Sequence, residues 1–275
     1  MLTVGVFQGP QSSGDVSANL GAIDAAAGQA AAGGAAILIT PEMSATGYNI
    51  GTAIAERAEP ADGPIAAAVG HIARRHGLAI VYGYPEANGA QGSDSQRPFN
   101  STQVIDANGE IVANYRKTHL YGFDRTHFTP GSKWVQQFDF GGLRCGLLIC
   151  YDIEFPENVR AHADAGTEWL IVPTGLMEPY EHIATQLVPT RAYESQLFVT
   201  YVNRCGTEFS DTDGELTYCG LSCAIAPDAS EIARAGNSEQ LLIAAIDPAA
   251  LATSRAVNTH LADRRRDLYQ ENTSR

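Results

Sequence analysis

Three runs of four apolar residues govern what this chain can fold into: Ala36-Ile37-Leu38-Ile39, Gly146-Leu147-Leu148-Ile149 and Trp169-Leu170-Ile171-Val172. Each is too short for a helix and has no polar face, so each reads as a strand covered on both sides. Between such runs the spacing turns helical. Residues 15–32 place Val16, Leu20, Ile23 and Ala27 one helical turn apart, with Asp15 as cap and Gly33-Gly34 as stop. Residues 63–76 form a second such helix, closed by Gly77, and 78–84 a strand. Strand, helix, strand in alternation argues for α/β layers.

Further along, 85–98 is polar and reads as an exposed loop, and Asn108-Gly109 joins two strands, 101–106 and 110–115, as a hairpin. A helix is expected over 156–164 and another over 182–194, where Pro189 predicts a kink or a late start. Strands are expected at 197–203, 221–226 and 241–246, and Asp247-Pro248 opens a short helix. The charged segment 256–275 has no pattern that packs it. No composition break divides residues 1–275, which read as a single domain of two mixed sheets covered by helices.

Composition excludes some partners. A net charge of −13 argues against nucleic acid and anionic membrane surfaces. No stretch approaches 18 consecutive apolar residues, and the N-terminal MLTVGVFQGP reads as a strand rather than a leader. Five cysteines, an odd number, suit reduced thiols in the cytoplasm better than a disulfide framework. Only two of the 18 basic residues are lysines, Lys117 and Lys133. Genomic base composition explains that bias, as does adaptation to salt or high pH.

Three ionisable residues end, or lie just beyond, expected strands: Glu42 after AILIT-P, Lys117 after IVANYR and Cys150 after GLLI. Strand ends at one edge of a layered sheet converge in space. Cys150 stands where a strand gives way to the helix begun by Pro156, whose N–H groups and dipole are expected to lower its thiol pKa. A thiol, a carboxylate and a lysine together suit covalent acyl transfer. Glu42 takes the thiol proton and passes it to the leaving amine, while Lys117 and the Tyr151 backbone N–H hold the oxyanion.

Each residue also has a plainer reading. Cys150 can be a small buried hydrophobe, Glu42 a cap or surface acid, and Lys117 a solvated strand end. His119 and His127 are alternative bases, though a structural hydrogen-bonding role suits His119 equally. A metal site is not expected: Cys145 and Cys150 fall on opposite faces of a strand, and Cys219 and Cys223 lack zinc-knuckle spacing.

The motifs ITPEMSATGY around Glu42, YRKTHLYG around Lys117 and GLLICYDIEFPE around Cys150 resemble, in order and separation, the nitrilase superfamily of carbon–nitrogen hydrolases. The likeness continues through RAYESQLFVTYVNRCG, residues 191–206. It implies a four-layer αββα fold that pairs into a homodimer, with the 256–275 tail expected at dimer contacts. It also implies Glu42 as base, Lys117 as oxyanion stabiliser, Cys150 as nucleophile forming a thioester, and no metal or organic cofactor. Many amidase members carry a second glutamate after the lysine; the matching position here is Asp124, one methylene shorter.

The turn after the nucleophile carries Ile153-Glu154, where carbamoylases and ω-amidase-like members use arginine to hold a substrate carboxylate. Glu154 repels a carboxylate, which favours a small neutral aliphatic amide. The CYDIEFPE variant also resembles amidase members more than true nitrilases. Tyr48, Glu154, Gly175, Leu176 and Met177 are the expected substrate-binding residues. An ω-amidase or N-carbamoyl amide hydrolase with its arginine elsewhere, a nitrile hydrolase, and a binding protein that kept the fold alone remain the competing readings; intact Glu42, Lys117 and Cys150 weigh against the last.

Overall fold

The apolar runs become the centres of two six-stranded sheets in the computed structural model, which describes residues 1–9, 14–89 and 97–269. In chain order the first half contributes β1 (Leu2–Gln8), β2 (Ile37–Ile39), β3 (Ala79–Glu86), β4 (Phe99–Ile105) and β5 (Ile111–Arg116). The second contributes β6 (Gln136–Phe140), β7 (Leu143–Leu147), β8 (Trp169–Pro173), β9 (Phe198–Val202), β10 (Cys205–Ser210), β11 (Gly214–Cys219), β12 (Cys223–Ile225), β13 (Glu231–Arg234) and β14 (Gln240–Ile246). The sheets run β14-β1-β2-β3-β4-β5 and β13-β12-β9-β8-β7-β6, with β10 and β11 a separate hairpin. Strands β1, β2 and β3 are parallel, as are β7, β8 and β9, and the outer strands are antiparallel.

Side-chain alternation sorts the first sheet into two faces. Val4, Val6, Ile37, Ile39 and Val81 meet Leu147, Ile171 and Phe198 of the second sheet. Leu38, Ile80 and Tyr82 point the other way, onto helices α1 (Val16–Ala32) and α2 (Pro64–His76). Helices α3 (Pro156–Asp164) and α4 (Val188–Ser195) send Val159, Val188 and Ala192 into the core of the second sheet. This is the expected αββα layering. A further helix, α5 (Ala249–Val257), follows β14.

Local chemistry agrees with the sequence at most boundaries. Asp15 Oδ1 accepts from Ser17 N at 2.8 Å and caps α1, and Gly77 ends α2 at φ +66°. In the hairpin, Asp106 Oδ1 accepts from Asn108 N and Glu110 N while Gly109 takes φ +80°. The expected 182–194 helix divides at its proline: Ile183–Leu187 forms a π-helical turn and α4 begins at Val188, with Pro189 in its first turn.

Three expectations need correction. Strand β3 continues through Pro85 and Glu86, paired with Asn100 and Phe99, where a loop was expected from residue 85. Proline is tolerated because β2 pairs only as far as Val81, so no strand needs its missing N–H. Residues 90–96 of that loop lie outside the described residues. The strand leading to the cysteine stops at Leu147, and Cys150 opens a 3-10 turn, Cys150–Glu154. The β10–β11 hairpin and β13 have no counterpart in the sequence reading, because their alternation is broken by polar residues and glycine.

Residues 260–263 and 266–269 of the charged tail form single helical turns, and 270–275 lie outside the described residues. No described helix is long and apolar enough to cross a membrane.

Candidate active site

Glu42, Lys117 and Cys150 stand just past β2, at the end of β5 and beyond β7, and all three are buried. Cys150 holds φ +47°, a left-handed conformation that a non-glycine residue adopts only under constraint. Asp152 supplies the constraint. Its Oδ2 accepts from Ile149 N at 3.2 Å and from the Tyr115 hydroxyl at 2.8 Å. Its Oδ1 accepts from the Thr118 hydroxyl at 2.8 Å and from His119 N at 2.9 Å. One carboxylate thus ties the nucleophile's turn to the segment that carries Lys117.

The Lys117 ammonium donates to Glu42 Oε1 at 2.8 Å and to Asp124 Oδ2 at 2.6 Å. Asn100 Nδ2 donates to Glu42 Oε1 at 2.6 Å, whereas Glu42 Oε2 is buried without a hydrogen-bond partner. That free oxygen is the one available to take a proton. A Cβ on Gly175 would stand 3.3 Å from it and 3.0 Å from the Tyr48 ring, so glycine lets the 174–177 loop come close.

Burial raises the Glu42 carboxyl above the ordinary carboxylate range; Lys117 opposes the rise and Asp124 adds to it. Burial works against the Lys117 charge, but Asp124 and Glu42 outweigh it and hold the ammonium protonated. For Cys150, burial and then the Glu42 charge push the thiol up, against Lys117, the Thr174 hydroxyl and the Gly175 backbone. The expected lowering by a helix terminus is therefore overturned: α3 starts only at Pro156, after the 3-10 turn. The resting thiol is protonated and needs a base, and Glu42, whose charge acts on it, is a carboxylate whose proton affinity burial has raised.

A cavity of about 190 Å³ opens onto Cys150. Tyr48, Glu154, Leu176 and Met177 line it, and Gly175 lies beside the nucleophile. Asp124 is fully buried behind this wall, with Oδ1 accepting the Tyr48 hydroxyl at 2.8 Å. His119 contacts Asp152 Oδ1 at 3.0 Å and stacks on Phe155, and His127 pairs with Asp213 at 2.9 Å. Neither histidine lines the cavity. Among the described residues no cluster of His, Cys, Asp and Glu could hold a metal ion.

Sequence reasoning missed Asn100, Asp152 and the pair Arg204 and Glu208. Arg204 donates to the Glu42 carbonyl at 2.9 Å and to Glu208 Oε1 at 2.8 Å. Glu208 in turn accepts from Asn49 N at 2.8 Å and from the Tyr218 hydroxyl. The loop carrying Glu42 and Tyr48 is thereby pinned to the β10–β11 hairpin. Two opposite charges four residues apart were the visible signal, but their burial was not.

A family model described as carbon-nitrogen hydrolase matches residues 3–256. A hydrolase from the pqqF 5′ region of Pseudomonas protegens is 42% identical over 276 residues, covering 100% of this chain and 93% of that protein. An (R)-stereoselective amidase of Pseudomonas sp. is 36% identical over 242 residues, 88% of this chain and 84% of the amidase. Among solved structures, the amidase of Nesterenkonia sp. AN1, from the nitrilase superfamily, superimposes with a TM-score of 0.84 at 30% identity, covering 98% of this chain and 99% of its own.

Proposed function

The chain belongs to the carbon–nitrogen hydrolase family, and on that footing we propose that it is an amidase converting a small neutral carboxamide to a carboxylic acid and ammonia through a thioester on Cys150. The observation that carries this reading is the buried Glu42–Lys117–Asp124 cluster beside a cavity that exposes the Cys150 thiol.

Glu42 Oε2 takes the thiol proton as sulfur attacks the amide carbon. Lys117 and the Tyr151 N–H stabilise the oxygen as it becomes negative. The tetrahedral intermediate collapses, Glu42 returns the proton to nitrogen, and ammonia leaves. Water then attacks the thioester, giving its proton to Glu42, and the acid is released with the thiol restored. Asp124 holds Lys117 and Tyr48 in place.

A carboxylate-bearing substrate is disfavoured because no lysine or arginine lines the cavity. Arg191, which reaches the turn after Cys150 from α4, donates instead to the carbonyls of Ile153 and Glu154 and pairs with Glu194. We place the enzyme in the cytoplasm, in keeping with five buried free cysteines, and assign it a homodimer whose contacts include the exposed Tyr193, Val257 and Leu268. Light scattering on the purified chain tests that assembly.

Ammonia release from propionamide, propionitrile, succinamate and N-carbamoylglycine tests the function. Propionamide is expected to lead, and Cys150→Ala to abolish release. Preference for succinamate, or turnover by Cys150→Ala, overturns the reading.

A further inference from the structure

The cavity wall holds one carboxylate that nothing in the proposed chemistry uses. Glu154 is half-buried on the wall shared with Cys150, and its side chain has no hydrogen bond and no ion pair among the described residues. Burial raises its carboxyl; His182, Lys117 and Arg191 act on it only through space. A half-buried carboxylate is partly stripped of water, and a bound ligand that supplies a donor offsets that loss.

The rest of the wall specifies the donor. Tyr48, Tyr121, Tyr151 and Tyr180 surround the same space. Tyr121 packs edge-on against Tyr151 at 5.2 Å and against Tyr180 at 6.3 Å between ring centroids. Four electron-rich rings and a carboxylate, with His182 beside them and no lysine or arginine, form an environment that attracts a cation. An ammonium gives Glu154 charge-assisted hydrogen bonds and sets its charge against the rings. The volume near 190 Å³ restricts the acyl group to a few heavy atoms.

We propose that Glu154 and the tyrosines around it select carboxamides whose acyl group carries a protonated amine: small amino amides. This replaces the neutral acyl group proposed above with a cationic one, keeps the exclusion of carboxylates, and rests on the amidase reading, since Cys150 must attack the amide in the same cavity. The pair Ile153-Glu154 then does more than reject carboxylates; it reads the opposite charge.

The test is kcat/KM for ammonia release on isosteric pairs at neutral pH: 3-aminopropanamide against butanamide, and 2-aminopropanamide against 2-methylpropanamide. In each pair an amine replaces a methyl group of nearly equal size. We expect the amine to lead in at least one pair by about tenfold or more, and Glu154→Gln to narrow that ratio to about twofold. If both methyl compounds match or exceed their amines, the inference is wrong while the amidase reading stands. If the wild-type preference survives undiminished in Glu154→Gln, Glu154 is not its source and the inference also fails. If no amide of the four releases ammonia, the amidase reading itself fails.

Discussion

The Lys117 ammonium lies 2.6 Å from Asp124, a carboxylate that does not line the substrate cavity. Both Asp124 oxygens are engaged, one by Lys117 and one by the Tyr48 hydroxyl. In the proposed mechanism the shorter side chain at this position acts on Lys117 rather than on the amide. Asp124→Asn keeps the shape and removes the charge that counters burial of the ammonium. We expect kcat to fall about a hundredfold, as for loss of one oxyanion contact, with a much smaller change in KM. Steady-state kinetics checks the split.

The acid limb of kcat/KM reports Glu42. As the proposed base it works only when deprotonated, so activity is expected to fall as pH drops through its pKa, which burial holds above the ordinary 4.5. The limb is thus expected above the pH of an exposed glutamate. The Asn100 hydrogen bond lowers that pKa, so Asn100→Leu is expected to move the limb to still higher pH. Glu42→Gln is expected to cost about 10²–10⁴ in kcat, the usual worth of a positioned base. A pH–rate profile of each variant decides.

Arg204 and Glu208 form a buried pair, with side chains 1% and 4% exposed. Removing one partner strands the other charge away from water. Glu208→Gln or Arg204→Met is expected to destabilise by about 3–5 kcal/mol, and the double variant by less than the sum. Urea unfolding of the three variants measures both.

His162 is buried between α3 and β7, and burial lowers its pKa from 6.5 to about 4. The folded state holds the ring neutral where the unfolded chain protonates it. Its contribution to stability is therefore intact above pH 6.5 and lost as pH falls toward 4, by at most about 3 kcal/mol. A flatter pH dependence in His162→Gln across that window is the expected result.

The sequence carried the site's core because strand ends, glycines and caps are local features. That Glu42, Lys117 and Cys150 come together was legible from where their strands stop, and α1 and α2 from spacing and caps. What was not legible depends on distant partners. Asp152 matters because Tyr115 and Thr118 reach it from another sheet, and Arg204 because the Glu42 carbonyl is 162 positions away. The thiol's state was misread for the same reason: a helix start can be seen in sequence, whereas burial against Glu42 cannot. The β10–β11 hairpin escaped because it packs over the site rather than into a sheet, so it shows no clean apolar face.

Strand β1 pairs with β14 over its full length, Leu2 opposite Ile246 and Gln8 opposite Gln240. On a growing chain, which emerges from the N-terminal end, that edge of β1 stays unpaired until some 230 further residues have been made. Val4 and Val6 are core residues, so the waiting strand is both apolar and sticky. Closure of the first sheet is consequently a late, long-range event, slow by the measure of sequence separation and exposed to aggregation while it waits. A chain that stops short of residue 240 never covers that edge, and loss of a stretch remote from Cys150 removes the support on which β1, β2 and Glu42 rest.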